Sequence, residues 1–225
     1  MPFESPARHD WVWLRTGWEQ GLRSPLSLED CETVGGWQGR GLPLVVARRQ
    51  PGDGEDDLRL GLALPDKRRI CVHVTASVMA GHTGPVPASV ALPSAPEAWR
   101  PTLGAVIDAS QALDVPVCVF GSLAWQHQSG LEYVRPNSDV DLLFAPRHWP
   151  SVEALLIELQ TLAKTKAIPR LDGEVLLPDG GAVAWRELAA QSARLIVKGA
   201  NNVTLRERAA IAALFLGSPF RERPV

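Results

Sequence analysis

The sequence predicts an α+β protein in two parts, a small β-rich domain over residues 1–80 and a mixed-sheet α/β domain over residues 102–225, joined by a proline-rich linker over 81–101. Three observations predict it. Leu58, Leu60, Leu62 and Leu64 recur at every second position, and a period of two buries one face of a strand. Pro85, Pro87, Pro93, Pro96 and Pro101 interrupt the stretch that follows, which therefore cannot hold a long regular element. Beyond Pro101, helical spacings alternate with short apolar runs, as in an α/β unit.

In the first part, Leu44-Val45-Val46-Ala47-Arg48-Arg49 reads as a strand, followed by a loop over residues 50–57 rich in Gly and Asp. The leucine alternation and Ile70-Cys71-Val72-His73-Val74 supply two more strands of the same sheet. In the second part, Leu103, Val106, Ile107 and Ser110 recur at helical spacing, and Val117-Cys118-Val119-Phe120 is a short buried strand. Residues 139–144 form another strand. An amphipathic helix follows from Ser151 to about Lys166, with Val152, Leu155, Leu156, Leu159, Leu162 and Ala163 on one stripe and Ser151 as its N-cap. Strands over 170–177 and 194–198 and a last helix over 204–215 complete the series.

Composition bounds the function. A chain of 225 residues with 45% hydrophobic content can build a real core. A net charge of -2, with 21% charged residues, advertises neither nucleic acid nor a membrane surface as partner. Cys31, Cys71 and Cys118 fit neither a zinc knuckle nor a CxxC motif, which suits a reducing compartment. The start Met1-Pro2-Phe3-Glu4 has no basic region before an apolar core, and no apolar run reaches the roughly 18 residues of a membrane helix. A cytoplasmic protein is expected. The eight tryptophans are scattered and read as core residues.

The chemistry lies in one connected stretch. A buried strand ends in Gly121-Ser122, sixteen residues follow, and then comes Asp139-Val140-Asp141-Leu142-Leu143-Phe144. A strand that ends in Gly-Ser and enters a helix offers backbone N–H groups to an anionic oxygen, and Ser122 adds a hydroxyl donor. Asp139 and Asp141, two apart on a strand, project from one face. Two hard oxygen ligands on a rigid strand suit Mg²⁺, with phosphate oxygens and water completing its octahedron.

This order resembles the nucleotidyltransferase superfamily related to DNA polymerase β, in which a later strand supplies a third carboxylate. The resemblance implies a nucleotidyltransferase-like second domain. It makes Asp139, Asp141 and a residue of Pro169-Arg170-Leu171-Asp172-Gly173-Glu174-Val175 the ligands of one or two Mg²⁺ ions. Asp172 and Glu174 share a strand face, so parity does not choose between them. Asp172, early in the strand, is preferred, with Glu174 the alternative, although Asp172-Gly173 would also suit a hairpin turn. Arg135, Arg170 and Lys198 are the cations to consider for phosphate, with Lys198 first because it ends a strand before Gly199-Ala200-Asn201-Asn202. His127 is a further candidate for substrate contact, and His9-Asp10, beside Trp11 and Trp13, reads as a packing element.

A closer resemblance is carried by Val134-Arg135-Pro136-Asn137-Ser138-Asp139-Val140-Asp141-Leu142, Arg8-His9-Asp10-Trp11-Val12-Trp13-Leu14 and Leu42-Pro43-Leu44-Val45-Val46-Ala47-Arg48-Arg49. Together they are similar to the phosphoribosyl-dephospho-coenzyme A transferases of bacterial malonate decarboxylase, the holo-acyl-carrier-protein synthases of that system. Membership implies transfer of the phosphoribosyl-dephospho-coenzyme A moiety from triphosphoribosyl-dephospho-CoA to a serine of the decarboxylase's acyl-carrier subunit, with release of pyrophosphate. Gly121 and Ser122 would then grip phosphates, Asp139, Asp141 and Asp172 would hold the metal, and Asp172 would take the serine proton. An acidic carrier has two basic surfaces to consider, Lys67-Arg68-Arg69 and the set Arg206, Arg208, Arg221 and Arg223. Two other readings stand beside this one: a nucleotidyltransferase with another acceptor, whether small molecule, protein side chain or nucleic acid end, and an inactive nucleotide- or coenzyme-binding module.

Overall fold

The computed structural model describes residues 5–165 and 168–217. Helices and two sheets make an α+β protein, and the chain divides into two compact units: among the described residues the first takes those up to Pro85 together with Gln128–Leu131, and the second takes Val86–His127 and the residues from Glu132 on.

The first unit carries a five-stranded antiparallel sheet ordered β4-β3-β2-β1-β5, from β1 (Trp11–Leu14), β2 (Leu44–Val46), β3 (Asp57–Ala63), β4 (Arg69–Thr75) and β5 (Met79–Thr83). The alternation read from the leucines is its physical basis: Leu58, Leu60 and Leu62 are buried, and they pair with Val74, Val72 and Ile70 across the hairpin. A helix, α1 (Leu28–Gly39), precedes β2; Ser27 caps it by accepting from the Asp30 N–H at 3.1 Å.

The second unit holds a seven-stranded mixed sheet, ordered β12-β11-β10-β9-β8-β7-β6. Its strands are β6 (Val86–Pro87), β7 (Val117–Phe120), β8 (Val140–Phe144), β9 (Leu171–Leu176), β10 (Ala182–Ala184), β11 (Arg194–Lys198) and β12 (Val203–Glu207). Among the described residues, only the β8 and β9 pair of this sheet is parallel. Among the helices, α2 (Ala88–Ala91), α3 (Arg100–Ala112), α4 (Gly121–Ser129), α5 (Trp149–Lys164), α6 (Trp185–Ala189) and α7 (Arg208–Gly217), α5 packs on α3, α6, α7 and β9. Val152, Leu155, Leu156 and Leu159, from the stripe read in the sequence, are its buried side.

Several boundaries differ from the sequence reading: the strand expected over 139–144 begins at Val140, leaving Asp139 just outside it, and the one expected over 44–49 ends at Val46. The stretch 81–101, expected as a linker, is occupied by the end of β5, then β6, α2, two 3-10 turns and the start of α3; Pro87 stands on an edge strand and Pro93 and Pro101 at helix starts, where a missing N–H costs little. The last helix begins at Arg208, because Val203, Leu205 and Glu207 continue the hairpin from β11 as an extended strand. Helix α5 starts at Trp149 with His148 in the cap position, so Ser151 lies inside it, while Lys166 falls outside the described residues. Among the tryptophans, Trp11, Trp18, Trp37, Trp99, Trp125 and Trp185 are buried.

Candidate active site

The register of three neighbouring strands assembles the site. In the parallel pair, Asp141 of β8 faces Asp172 of β9, and in the antiparallel pair Asp141 faces Phe120, the residue before Gly121. Register partners share a sheet face, so Asp141, Asp172 and the start of α4 come together. Asp139 lies just ahead of β8, two residues from Asp141; between them Val140 is fixed by its N–H donating to the Arg170 carbonyl at 3.0 Å.

Two glycines make this close approach feasible. Gly121 has φ +66, and a Cβ there would sit 2.0 Å from Oδ2 of Asp141. The loop thus lies directly against that carboxylate. Gly173 has φ +142, and a Cβ would meet the Leu142 carbonyl oxygen at 2.0 Å, so β9 pairs with β8 only because the side chain is absent. Asp172-Gly173 is therefore mid-strand and not a hairpin turn.

Charge is concentrated on this face. Burial, then the charge of Asp172, with further contributions from Asp139 and Glu174, pushes the Asp141 carboxyl up to about 6, against the opposing pull of Arg170. Asp139 is held below the usual carboxylate range by the guanidinium of Arg170, whose Nε donates to Oδ1 at 2.9 Å and whose Nη2 donates to Oδ2. The same Nη2 lies 4.0 Å from Oδ2 of Asp172. Glu174, only 4% exposed, accepts from Nζ of Lys198 at 2.8 Å.

The residues singled out from the sequence fall into two groups. Gly121, Ser122, Asp139, Asp141, Asp172 and Arg170 gather at the ends of β7, β8 and β9. Lys198 stands two strands away from β9 and is engaged by Glu174. Arg135 is exposed in the turn before Asp139, closed by reciprocal bonds between the Arg135 N–H and the Ser138 hydroxyl and between the Ser138 N–H and the Arg135 carbonyl, both 2.9 Å. His127 is held by Ser94 at 3.0 Å. Of the basic surfaces, Arg68 pairs with Glu29 and Asp30, Arg206 pairs with Asp179, and Arg208 donates to the Leu188 carbonyl; Arg221 and Arg223 lie outside the described residues.

Two residues went unread in the sequence. Arg186 donates to the Leu171 carbonyl at 2.8 Å, stacks on Trp185 and adds positive potential at Asp139; it is distant in sequence, and no motif marks it. Gln126 accepts from the N–H groups of Tyr133 and Val134 at 3.1 and 3.0 Å and donates to the Ser94 carbonyl at 2.7 Å, tying α4 to the loop that leads into Arg135. A lone glutamine in a helix carries no signal of that duty.

The donor chemistry suits a hard divalent cation: Asp139, Asp141 and Asp172 offer only carboxylate oxygens, and register sets Asp141 and Asp172 opposite one another on neighbouring strands. As placed, however, no three His, Cys, Asp or Glu side chains among the described residues converge on a point that could hold a metal ion. No described helix is long and apolar enough to cross a membrane.

Comparison with known proteins gives one consistent answer. The model of the phosphoribosyl-dephospho-CoA transferase MdcG N-terminal domain matches residues 7–85, and that of the MdcG C-terminal domain matches residues 87–209. The phosphoribosyl-dephospho-CoA transferase of Xanthomonas euvesicatoria pv. vesicatoria (strain 85-10) is 35% identical over 207 residues, which are 91% of this chain and 95% of that one. The protein of the same name from Bradyrhizobium diazoefficiens is 33% identical over 207 residues, covering 90% of this chain and 91% of its own. No solved structure gives a significant match. With both domain models matched in order and relatives aligned over nearly their whole length, the chain belongs to the phosphoribosyl-dephospho-CoA transferase MdcG family of transferase enzymes.

Proposed function

We propose that this chain transfers the phosphoribosyl-dephospho-CoA moiety from triphosphoribosyl-dephospho-CoA to a serine of the acyl-carrier subunit of malonate decarboxylase, releasing pyrophosphate. The observation that carries this reading is the juxtaposition of Asp141, Asp172 and Gly121 by strand register, which sets a carboxylate pair against the start of α4.

Asp139, Asp141 and Asp172 are the residues that would hold one or two Mg²⁺ ions. Asp172 is favoured over Glu174 because Glu174 is buried against Lys198, whereas Asp172 is half-exposed beside Asp141. Bound there, magnesium would neutralise charge on the triphosphate and on the leaving pyrophosphate, the main requirement of an in-line displacement at phosphorus. The remaining work belongs to the chain. The start of α4, with the Ser122 hydroxyl, orients phosphate oxygens through N–H donors that the helix leaves unsatisfied. Arg135 adds positive charge from the turn ahead of Asp139, and Lys198 pairs with Glu174, two residues along β9 from Asp172. Asp172 takes the proton of the attacking serine hydroxyl, a step that makes the oxygen nucleophilic as the bond to the α-phosphorus forms and that to pyrophosphate breaks.

Incubation with Mg²⁺, triphosphoribosyl-dephospho-CoA and apo carrier subunit, with pyrophosphate and the intact mass of the carrier both followed, tests the reading. Pyrophosphate release matched by a mass gain on the carrier, and lost in Asp139→Ala and Asp141→Ala, is the expected result. A folded protein that binds the precursor yet neither releases pyrophosphate nor modifies the carrier would refute it.

A further inference from the structure

The ion pair between Arg170 and Asp139 stands where a cation ligand should be free. Both carboxylate oxygens of Asp139 accept from one guanidinium, through Nε at 2.9 Å and through Nη2, and the same nitrogen reaches towards Asp172 at 4.0 Å. A carboxylate engaged at both oxygens by a planar fork turns its best lone pairs to that fork. A cation at a centre shared with Asp141 and Asp172 would compete with that fork for those lone pairs, and no three such side chains among the described residues converge on a point.

The pair is also built to come apart. The Arg170 backbone is fixed by its carbonyl accepting from Val140, but its side chain is 63% exposed and that of Asp139 is 32% exposed. Exposed ion pairs contribute little, so a divalent cation competing for Asp139 meets only a small opposing preference. The other positive group near Asp139, Arg186, is tied to the Leu171 carbonyl and to Trp185, which leaves Arg170 as the group able to move. Once displaced, its fork lies beside the carboxylates that would hold the cation, where a polyphosphate has oxygens at the spacing a guanidinium engages bidentately.

We propose that Arg170 is a resident counter-ion of Asp139 that yields this carboxylate to a divalent cation and then engages the substrate's polyphosphate. The proposal rests on the reading of Asp139, Asp141 and Asp172 as cation ligands. In that cycle the cation-free protein carries a compensated Asp139, and cation and polyphosphate bind with mutual support because each removes what the other would have to displace.

The test uses Mn²⁺ and inorganic tripolyphosphate as probes on the full chain, with binding of Mn²⁺ read by electron paramagnetic resonance in the absence of any turnover. Arg170→Gln should bind Mn²⁺ alone about two- to fivefold more tightly than wild type, the range a surface ion pair supports. The same variant should bind tripolyphosphate more weakly at saturating Mn²⁺, and Arg170→Lys, which keeps the charge without the fork, should fall between. If Asp141→Asn abolishes Mn²⁺ binding while Arg170→Gln leaves it unchanged or weakened, the role of Arg170 is overturned and the cation site stands. Undiminished Mn²⁺ binding in Asp141→Asn would overturn the cation site and this proposal with it. Tripolyphosphate binding unaffected in Arg170→Gln overturns the second half of the exchange.

Discussion

Substitution at Gly121 should separate stability from activity, because the atom a new side chain would strike belongs to the Asp141 carboxyl. In Gly121→Ala, two effects follow from the geometry. The residue keeps φ +66, where an L side chain costs about 1–2 kcal/mol, which corresponds to a fall in Tm of about 2–8 °C for a protein of this size. The new methyl would also lie 2.0 Å from Oδ2 and 3.0 Å from Cγ of Asp141, well inside van der Waals contact. The obstructing atoms belong to a side chain, so the protein accommodates the change by swinging the carboxyl aside and not by unfolding. A displacement of an ångström at a catalytic centre lowers turnover about a hundredfold, and that is the expected loss in kcat. Pyrophosphate release at saturating precursor measures the activity, and thermal unfolding followed by circular dichroism measures the stability. Gly104→Ala, in α3 with nothing within 4 Å of its Cβ, serves as the control and should be active and slightly more stable. An unchanged kcat in Gly121→Ala would refute the claim that the loop bears directly on Asp141.

Other perturbations test different links. Gly173→Ala drives a methyl into backbone, 2.0 Å from the Leu142 carbonyl oxygen, and should cost on the order of 4 kcal/mol or more; recovery of soluble protein with a normal Tm would contradict the close pairing of β8 and β9. Lys198→Met strands the buried carboxylate of Glu174 and should lower stability by about 1–3 kcal/mol, most of it restored in the double variant with Glu174→Gln; unequal denaturant midpoints for wild type and the double variant, with no rescue, would rule this out. In the first unit, Asp53 is held down to about 2, chiefly by the guanidinium of Arg59 and then by the Gln50 N–H. A folded value below the ordinary 3.8 means stability present above that pH and lost as pH falls towards 2, so Asp53→Asn should flatten the acid limb of the stability curve in that window. Identical acid limbs would show that the pair is inconsequential.

Periodicity made much of this fold legible, and its failures have physical causes. The leucine alternation of β3 and the stripe of α5 each follow from one element's own spacing, which is why they could be read locally, whereas Asp139, expected as the first residue of its strand, lies just ahead of β8. Helix α1 escaped because Gly35 and Gly36 lie at its centre and weaken both propensity and pattern, while tertiary packing of Val34 and Trp37 holds it. Strand β12 runs straight into the helical segment that buries Ile211 and Phe215, with no Gly or Pro between them to mark a boundary, and only pairing with β11 makes residues 203–207 a strand. In the site, parity left Asp172 and Glu174 equivalent. What distinguishes them is a partner on another strand, Lys198, and the register of β8 against β9, neither of which is written locally. The Arg170 fork on Asp139 is likewise a product of that parallel pairing.

The central claim is that Asp139, Asp141 and Asp172 form one cation site beside the start of α4, and crystals grown with Mn²⁺ and inorganic tripolyphosphate would test it most directly through the anomalous signal of manganese. The account expects a peak with carboxylate oxygens of all three residues about 2.0–2.2 Å away, near the distance at which magnesium binds such ligands, and with tripolyphosphate oxygens completing the sphere beside Gly121 and Ser122. A manganese peak elsewhere, with Arg170 still on Asp139 and the phosphate chain away from α4, would contradict it.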